Sequence, residues 1–102
     1  MHPTTIILIL TVTAYCACPV CTAPYSDGIT AAGTVATEGR TIAAPPSWPM
    51  GRKVHIEGLG TRVVEDRGEA ITQGRLDVYF DCHDEALEFG VRELEVRVWR
   101  GR

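Results

Sequence analysis

Two aspartates stand in a stretch, Val63 to His83, that reads as a strand, a Gly-containing turn and a second strand. Asp66 closes Val63-Val64-Glu65-Asp66, and Asp77 lies eleven residues further on, inside Arg75-Leu76-Asp77-Val78-Tyr79-Phe80-Asp81. Side chains of a strand alternate between its two faces. In the second pattern Leu76, Val78 and Phe80 therefore share one face, which reads as core, and Asp77, Tyr79 and Asp81 share the other. An acidic row with one aromatic, backed by an apolar face, is a carboxylate site on a rigid support. Carboxyl groups held in this way give protons to a bound substrate and take them back.

A second reactive set is sulfur-based. Cys16, Cys18 and Cys21 form C-x-C-x-x-C, and Cys82 lies far along the chain beside His83. Four thiolates, or three with a histidine, complete a tetrahedral zinc site. The same four cysteines allow three disulfide pairings. The spacing lacks the paired C-x-x-C units of a zinc ribbon, so a structural role without metal is the preferred reading. No thioredoxin-like pattern surrounds them, which argues against redox catalysis. His55 and His83 belong to no H-x-x-x-H pair and read as surface or hydrogen-bonded histidines. Thr30, in the small polar stretch between Pro24 and Gly39, offers its hydroxyl either to a sugar or to its own turn. Trp48 is either a stacking platform or, by preference, a cap on the core.

The elements that position these groups are short. Thr4–Ala14 is rich in Ile, Val and Thr and predicts a first strand. Arg40–Ala44 predicts a second, stopped by Pro45-Pro46 because proline cannot donate to a ladder. Arg52–Glu57 alternates, Gly58-Leu59-Gly60 turns, and Thr61–Glu65 returns as the partner of a hairpin. Asp81 or Asp84 caps a two-turn helix that Gly90 ends. Val91–Trp99 closes the chain as a strand in which Leu94 breaks the alternation expected for Val91, Val96 and Val98. Six or seven short strands and one short helix predict an all-β fold, a small closed barrel.

Composition excludes several classes. At 102 residues the chain fits one domain, residues 1–102 with a core over about 4–99. An apolar fraction of 45% is too high for a disordered chain. Net charge is −3 with no basic cluster, which excludes a nucleic-acid surface. No run approaches the roughly 20 apolar residues of a membrane span. Ile6–Leu10 has no preceding Lys or Arg, which makes it a poor signal peptide and a better first strand.

Several stretches, in order, resemble the 3D domain, named for three aspartates and shared by small cell-wall proteins and by the catalytic barrel of the membrane-bound lytic transglycosylase A group. They are Thr13-Ala14-Tyr15-Cys16-Ala17-Cys18, Asp27-Gly28-Ile29-Thr30-Ala31-Ala32-Gly33, Glu38-Gly39-Arg40-Thr41-Ile42-Ala43, Pro49-Met50-Gly51, Val54-His55-Ile56-Glu57-Gly58-Leu59-Gly60, Glu65-Asp66-Arg67-Gly68 and Arg75 to Ala86. The resemblance implies a six-stranded double-psi β-barrel of the RlpA-like type. It implies cleavage of the β-1,4 bond between N-acetylmuramic acid and N-acetylglucosamine in peptidoglycan, with the muramyl C6 hydroxyl attacking to give a 1,6-anhydro product. Asp77 matches the catalytic position, and Asp66 matches the second family aspartate. Thr30, Asp81 and Glu69 are the expected substrate-binding residues.

The resemblance implies no cofactor, peptidoglycan glycan strands as partner, a monomeric barrel and an extracytoplasmic location, in a bacterial protein, a phage protein or a fragment of a longer one. The chain departs from the family where the first aspartate falls on Pro45, and again at Glu69 and Thr72. Three readings follow: catalysis by Asp66 and Asp77 alone, replacement by Glu69, or a barrel that only binds glycan.

Overall fold

The computed structural model describes residues 5–17, 28–68, 71 and 74–99. Its elements are β1 (Thr5–Tyr15), β2 (Thr41–Ala43), β3 (Lys53–Ile56), β4 (Gly60–Asp66), β5 (Arg75–Tyr79), α1 (His83–Phe89) and β6 (Arg92–Trp99). The strands close into a barrel in the order β1-β5-β2-β4-β3-β6. The predicted all-β architecture with one short helix is therefore what forms.

Alternation accounts for the interior. Leu10 and Val12 of β1, Val54 and Ile56 of β3, Leu76 and Val78 of β5, and Val96 and Val98 of β6 meet inside with Ile42 and Val64. Each such side chain stabilises the fold by about 1.5–3 kcal/mol when withdrawn from water. On β6, Leu94 packs against the core while Val91, just before the strand, is exposed. Leu94, Val96 and Val98 share one parity, so Leu94 belongs to the core pattern and Val91 stands outside it.

The β3–β4 hairpin forms as expected, pairing Lys53 with Val63 and Ile56 with Gly60. The stretch from Val63 to Tyr79 is not a hairpin, because β2 lies between β4 and β5. It pairs parallel to β4 and antiparallel to β5. β1 runs parallel to β5 from Thr11 to Tyr15 and antiparallel to β6 from Thr5 to Val12. The helix begins at His83 with Cys82 in the N-cap position and no side-chain cap, so neither Asp81 nor Asp84 caps it. Gly90 ends it with a positive φ of 68°, a conformation that glycine adopts without a Cβ penalty.

Trp48 packs against the core at the barrel end where β1 and β5 start and β2 and β4 finish. It is the cap that the sequence favours.

Candidate active site

The barrel brings the two aspartates together through one small residue. Ala43, the last residue of β2, is the register partner of Asp77 on one side and of Asp66 on the other. Neighbouring strands lie about 4.8 Å apart, so the two aspartate Cα atoms stand on the order of 10 Å from each other.

Strict alternation in β4 would put Asp66 on the same face as buried Val64. A register shift prevents this: Thr41 pairs with Val63 and Ile42 with Val64, but Ala43 pairs with Asp66. Glu65 is the extra residue of a β-bulge, a device that re-aims a side chain. Asp66 thereby joins Ala43 and Asp77 on the outer face. Glu65 is nearly buried and stays satisfied, with its Oε1 accepting from Thr41 Oγ1 at 2.7 Å and from Arg40 Nε at 3.1 Å.

Asp66 is held by three donors. Tyr15 Oη donates to Oδ2 at 2.8 Å, and the backbone N–H groups of Ala31 and Arg67 donate to Oδ1, each at 2.9 Å. Arg67 turns the other way, donating to the carbonyls of Trp48 and, at 3.4 Å, Ala44, and so ties the β2–β3 connection to the site.

Asp77 is held differently. Thr13, its partner across the parallel β1–β5 pair, donates from Oγ1 to Asp77 Oδ1 at 3.0 Å. Burial pushes the Asp77 carboxyl up to about 6, from an ordinary 3.8, and the nearby Asp66 carboxylate adds to the rise. The Thr13 bond and the Arg75 charge oppose it. A carboxylic acid of this strength is half protonated near pH 6, within about one unit of neutrality, where a group that both gives and takes a proton works best.

Tyr15 completes the arrangement. Its ring packs edge-on against Tyr79 at 5.4 Å between centroids, and burial together with Asp66 raises its hydroxyl well above the ordinary tyrosine range. It therefore acts as a donor throughout the physiological pH range. Thr13 and Tyr15 lie within the family-like stretch, but the sequence reading gave them no role. The i, i+2 spacing of Thr11, Thr13 and Tyr15, after the apolar run Ile6–Leu10, is the feature that marks them as one polar face.

The other expected binding residues are placed as follows. Thr30 is buried in its own turn, its Oγ1 2.7 Å from Thr34 Oγ1 and accepting from Thr34 N at 3.1 Å. The neighbouring residue, Ala31, is the one that reaches Asp66. Asp81 is exposed after the end of β5, and its N–H donates to Glu38 Oε1 at 2.8 Å. Glu69, Cys18 and Cys21 lie outside the described residues. Cys16 is disulfide-bonded, 3.5 Å from His83 Nδ1, and Cys82 is a free, exposed thiol. An oxidised Cys16 is not the thiolate that a zinc site with Cys18, Cys21 and Cys82 requires. Pro45, onto which the resemblance places the family's first aspartate, is fully buried.

A closed β-barrel bearing two aspartates on its outer face, one of them raised to about 6, has the make-up of an acid–base site on a rigid scaffold. The 3D domain model matches residues 40–100, and the chain belongs to the 3D domain family. Among curated relatives, the putative cell wall shaping protein YabE of Bacillus subtilis is 31% identical over 88 residues, covering 84% of this chain and 21% of that protein. The cell wall-binding protein YocH of the same organism is 33% identical over 76 residues, covering 71% of this chain and 26% of its own. The chain thus spans about a quarter of each relative.

Among solved structures, MltA from E. coli superposes with a TM-score of 0.61 at 18% identity, covering 78% of this chain and 29% of that one. A variant of the lytic transglycosylase MltA in an apo form gives 0.65 at 17%, with the same coverage. At these identities the likeness is one of fold.

Proposed function

We propose that this barrel is a peptidoglycan lytic transglycosylase acting on the β-1,4 bond between N-acetylmuramic acid and N-acetylglucosamine. The observation that carries the reading is Asp77: a desolvated carboxyl, oriented by Thr13 and two strand spacings from Asp66, with its proton retained to about pH 6. In the forward step the Asp77 O–H gives its proton to the glycosidic oxygen as the bond to muramyl C1 breaks. The Asp66 carboxylate faces the positive charge that develops on the ring, and Tyr15 keeps it in place. The muramyl C6 hydroxyl then bonds to C1 and returns a proton to Asp77. The product is a 1,6-anhydro sugar, the acid is regenerated and no water is consumed.

The names of the cell-wall relatives support the substrate class and an extracytoplasmic setting. Among the described residues no helix is long and apolar enough to cross a membrane. The parallel β1–β5 and β2–β4 pairings support a double-psi description of the barrel. We read the chain as a monomer that needs no cofactor.

A second reading, a barrel that binds glycan without cleaving it, is favoured by Pro45 in place of the first family aspartate. Digestion of purified peptidoglycan, with products read by mass spectrometry, separates the two. Anhydro-muropeptides from the wild type but not from Asp77→Asn are expected. No product from either, with retained pull-down on insoluble peptidoglycan, would leave only the binding barrel.

A further inference from the structure

Away from the aspartates, the barrel end capped by Trp48 carries two grooves that meet at Arg52. One, of about 430 Å³, is lined by Met50, Arg52, Lys53 and Trp99 among others. The other, of about 210 Å³, is lined by Ile6, Leu8, Trp48 and again Arg52. The two tryptophans are the only ones in the chain, and one lies in each groove. No carboxylate among the described residues lines either groove, although the protein as a whole carries a net charge of −3. Among the described residues neither Arg52 nor Lys53 makes an ion pair. Two unpaired cations between indole rings suit a ligand with an anionic group and an apolar body. A guanidinium binds a carboxylate bidentately, and indoles stack on alkyl or sugar C–H surface.

The grooves are joined to the aspartates. Val64 N–H donates to Arg52 O at 2.9 Å, and Gly51 N–H donates to Val64 O at 2.7 Å, so Arg52 sits beside β4 two residues before Asp66. That is roughly 7 Å along the strand. Arg67, next to Asp66, holds the Trp48 carbonyl. At the aspartates the Arg75 cation already faces Asp77, so a negative part of the substrate gains most at Arg52 and Lys53, which make no ion pair among the described residues.

We propose that the two grooves meeting at Arg52 form one subsite for the carboxylate-bearing stem peptide of a peptidoglycan strand whose sugars lie at Asp77. This rests on the function proposed above and extends it from the sugars to the peptide. An extended peptide advances about 3.3–3.6 Å per residue, so a stem of a few residues spans the distance.

The test is NMR titration of the whole 102-residue chain, followed at its two indole N–H signals. The probe is a free stem tetrapeptide. Both signals are expected to shift. Amidating the peptide carboxylates, or replacing both cations in R52Q/K53Q, is expected to weaken binding at least about tenfold, the scale of one charged hydrogen-bonded contact. Lys53 is exposed and Arg52 half-buried, and neither belongs to the core, so the variant is expected to keep its fold, which a dispersed spectrum verifies.

Indoles unmoved by the peptide, or equal binding by R52Q/K53Q, would overturn the proposal. Shifts produced only by poly(glycerol phosphate) would overturn it in favour of a phosphate polymer. Indole shifts in a protein that forms no anhydro-muropeptides would uphold the subsite and defeat the catalytic reading instead.

Discussion

Asp66 and Asp77 flank the same alanine, and the barrel treats them in opposite ways. Around Asp66 three donors converge on two oxygens. Around Asp77 burial dominates and a single threonine hydroxyl reaches the carboxyl. The first arrangement fixes an acceptor in space. The second leaves a group whose charge is costly and whose proton is retained. Two chemically identical side chains thus differ through their surroundings alone, and in the proposed reaction they take different parts, Asp77 moving the proton and Asp66 facing the developing charge.

The contrast is broken most severely at Asp77. Asp77→Asn should lower formation of anhydro-muropeptides by about 10²–10⁴-fold, the usual contribution of a positioned acid–base group, while pull-down on peptidoglycan stays unchanged. The same variant should be more stable than the wild type at neutral pH. The native carboxyl keeps its proton up to about 6, whereas the unfolded one releases it near 3.8. Between those values the unfolded state binds fewer protons, so stability is full below about 3.8 and is lost as pH rises through 6. Asparagine avoids that loss. Denaturant midpoints should therefore favour Asp77→Asn by up to about 3 kcal/mol at pH 7.5 and by almost nothing at pH 3.5.

At Asp66 the comparison is sharpened by Tyr15→Phe, which removes one donor of three. A loss of about 1–2 kcal/mol in stability and a smaller fall in turnover are expected. Thr13→Val removes the hydroxyl that holds the Asp77 value down, so the alkaline limb of the pH–rate profile should move upward with little change in folding. The smallest effect is expected for Arg40→Ala. Its partner Glu65 keeps the Thr41 bond, and the arginine is half exposed, so about 0.5 kcal/mol is the scale.

Much of this was legible from local pattern. Alternation in Arg75–Tyr79 put Leu76 and Val78 inside and Asp77 outside, and the Gly58–Gly60 turn announced the β3–β4 hairpin. What escaped was whatever depends on pairing between distant strands. Nothing in Ile42-Ala43 or Val64-Glu65-Asp66 marks the bulge that turns Asp66 outward, because the bulge is a property of two strands in register. Tyr15 and Asp66 are 51 residues apart, and Thr13 and Asp77 are 64. Their bonds exist only once β1 lies beside β5, and β2 between β5 and β4. The misplaced parity of β6 has a simpler origin: Val91 is apolar, and reading inward from it put Leu94 on the wrong face.

The position of β1 also governs how the chain reaches this state. Its neighbours are β5 and β6, and the pairing of Thr5 with Trp99 joins nearly opposite ends of the described chain. Loop-closure entropy must be met before such contacts return anything, and folds dominated by them form in milliseconds to seconds rather than microseconds. During vectorial synthesis β1 emerges first and has no partner until β5 and then β6 have left the ribosome. Until then its apolar run from Ile6 to Leu10 is an open edge, and closure of the barrel waits for its last strand.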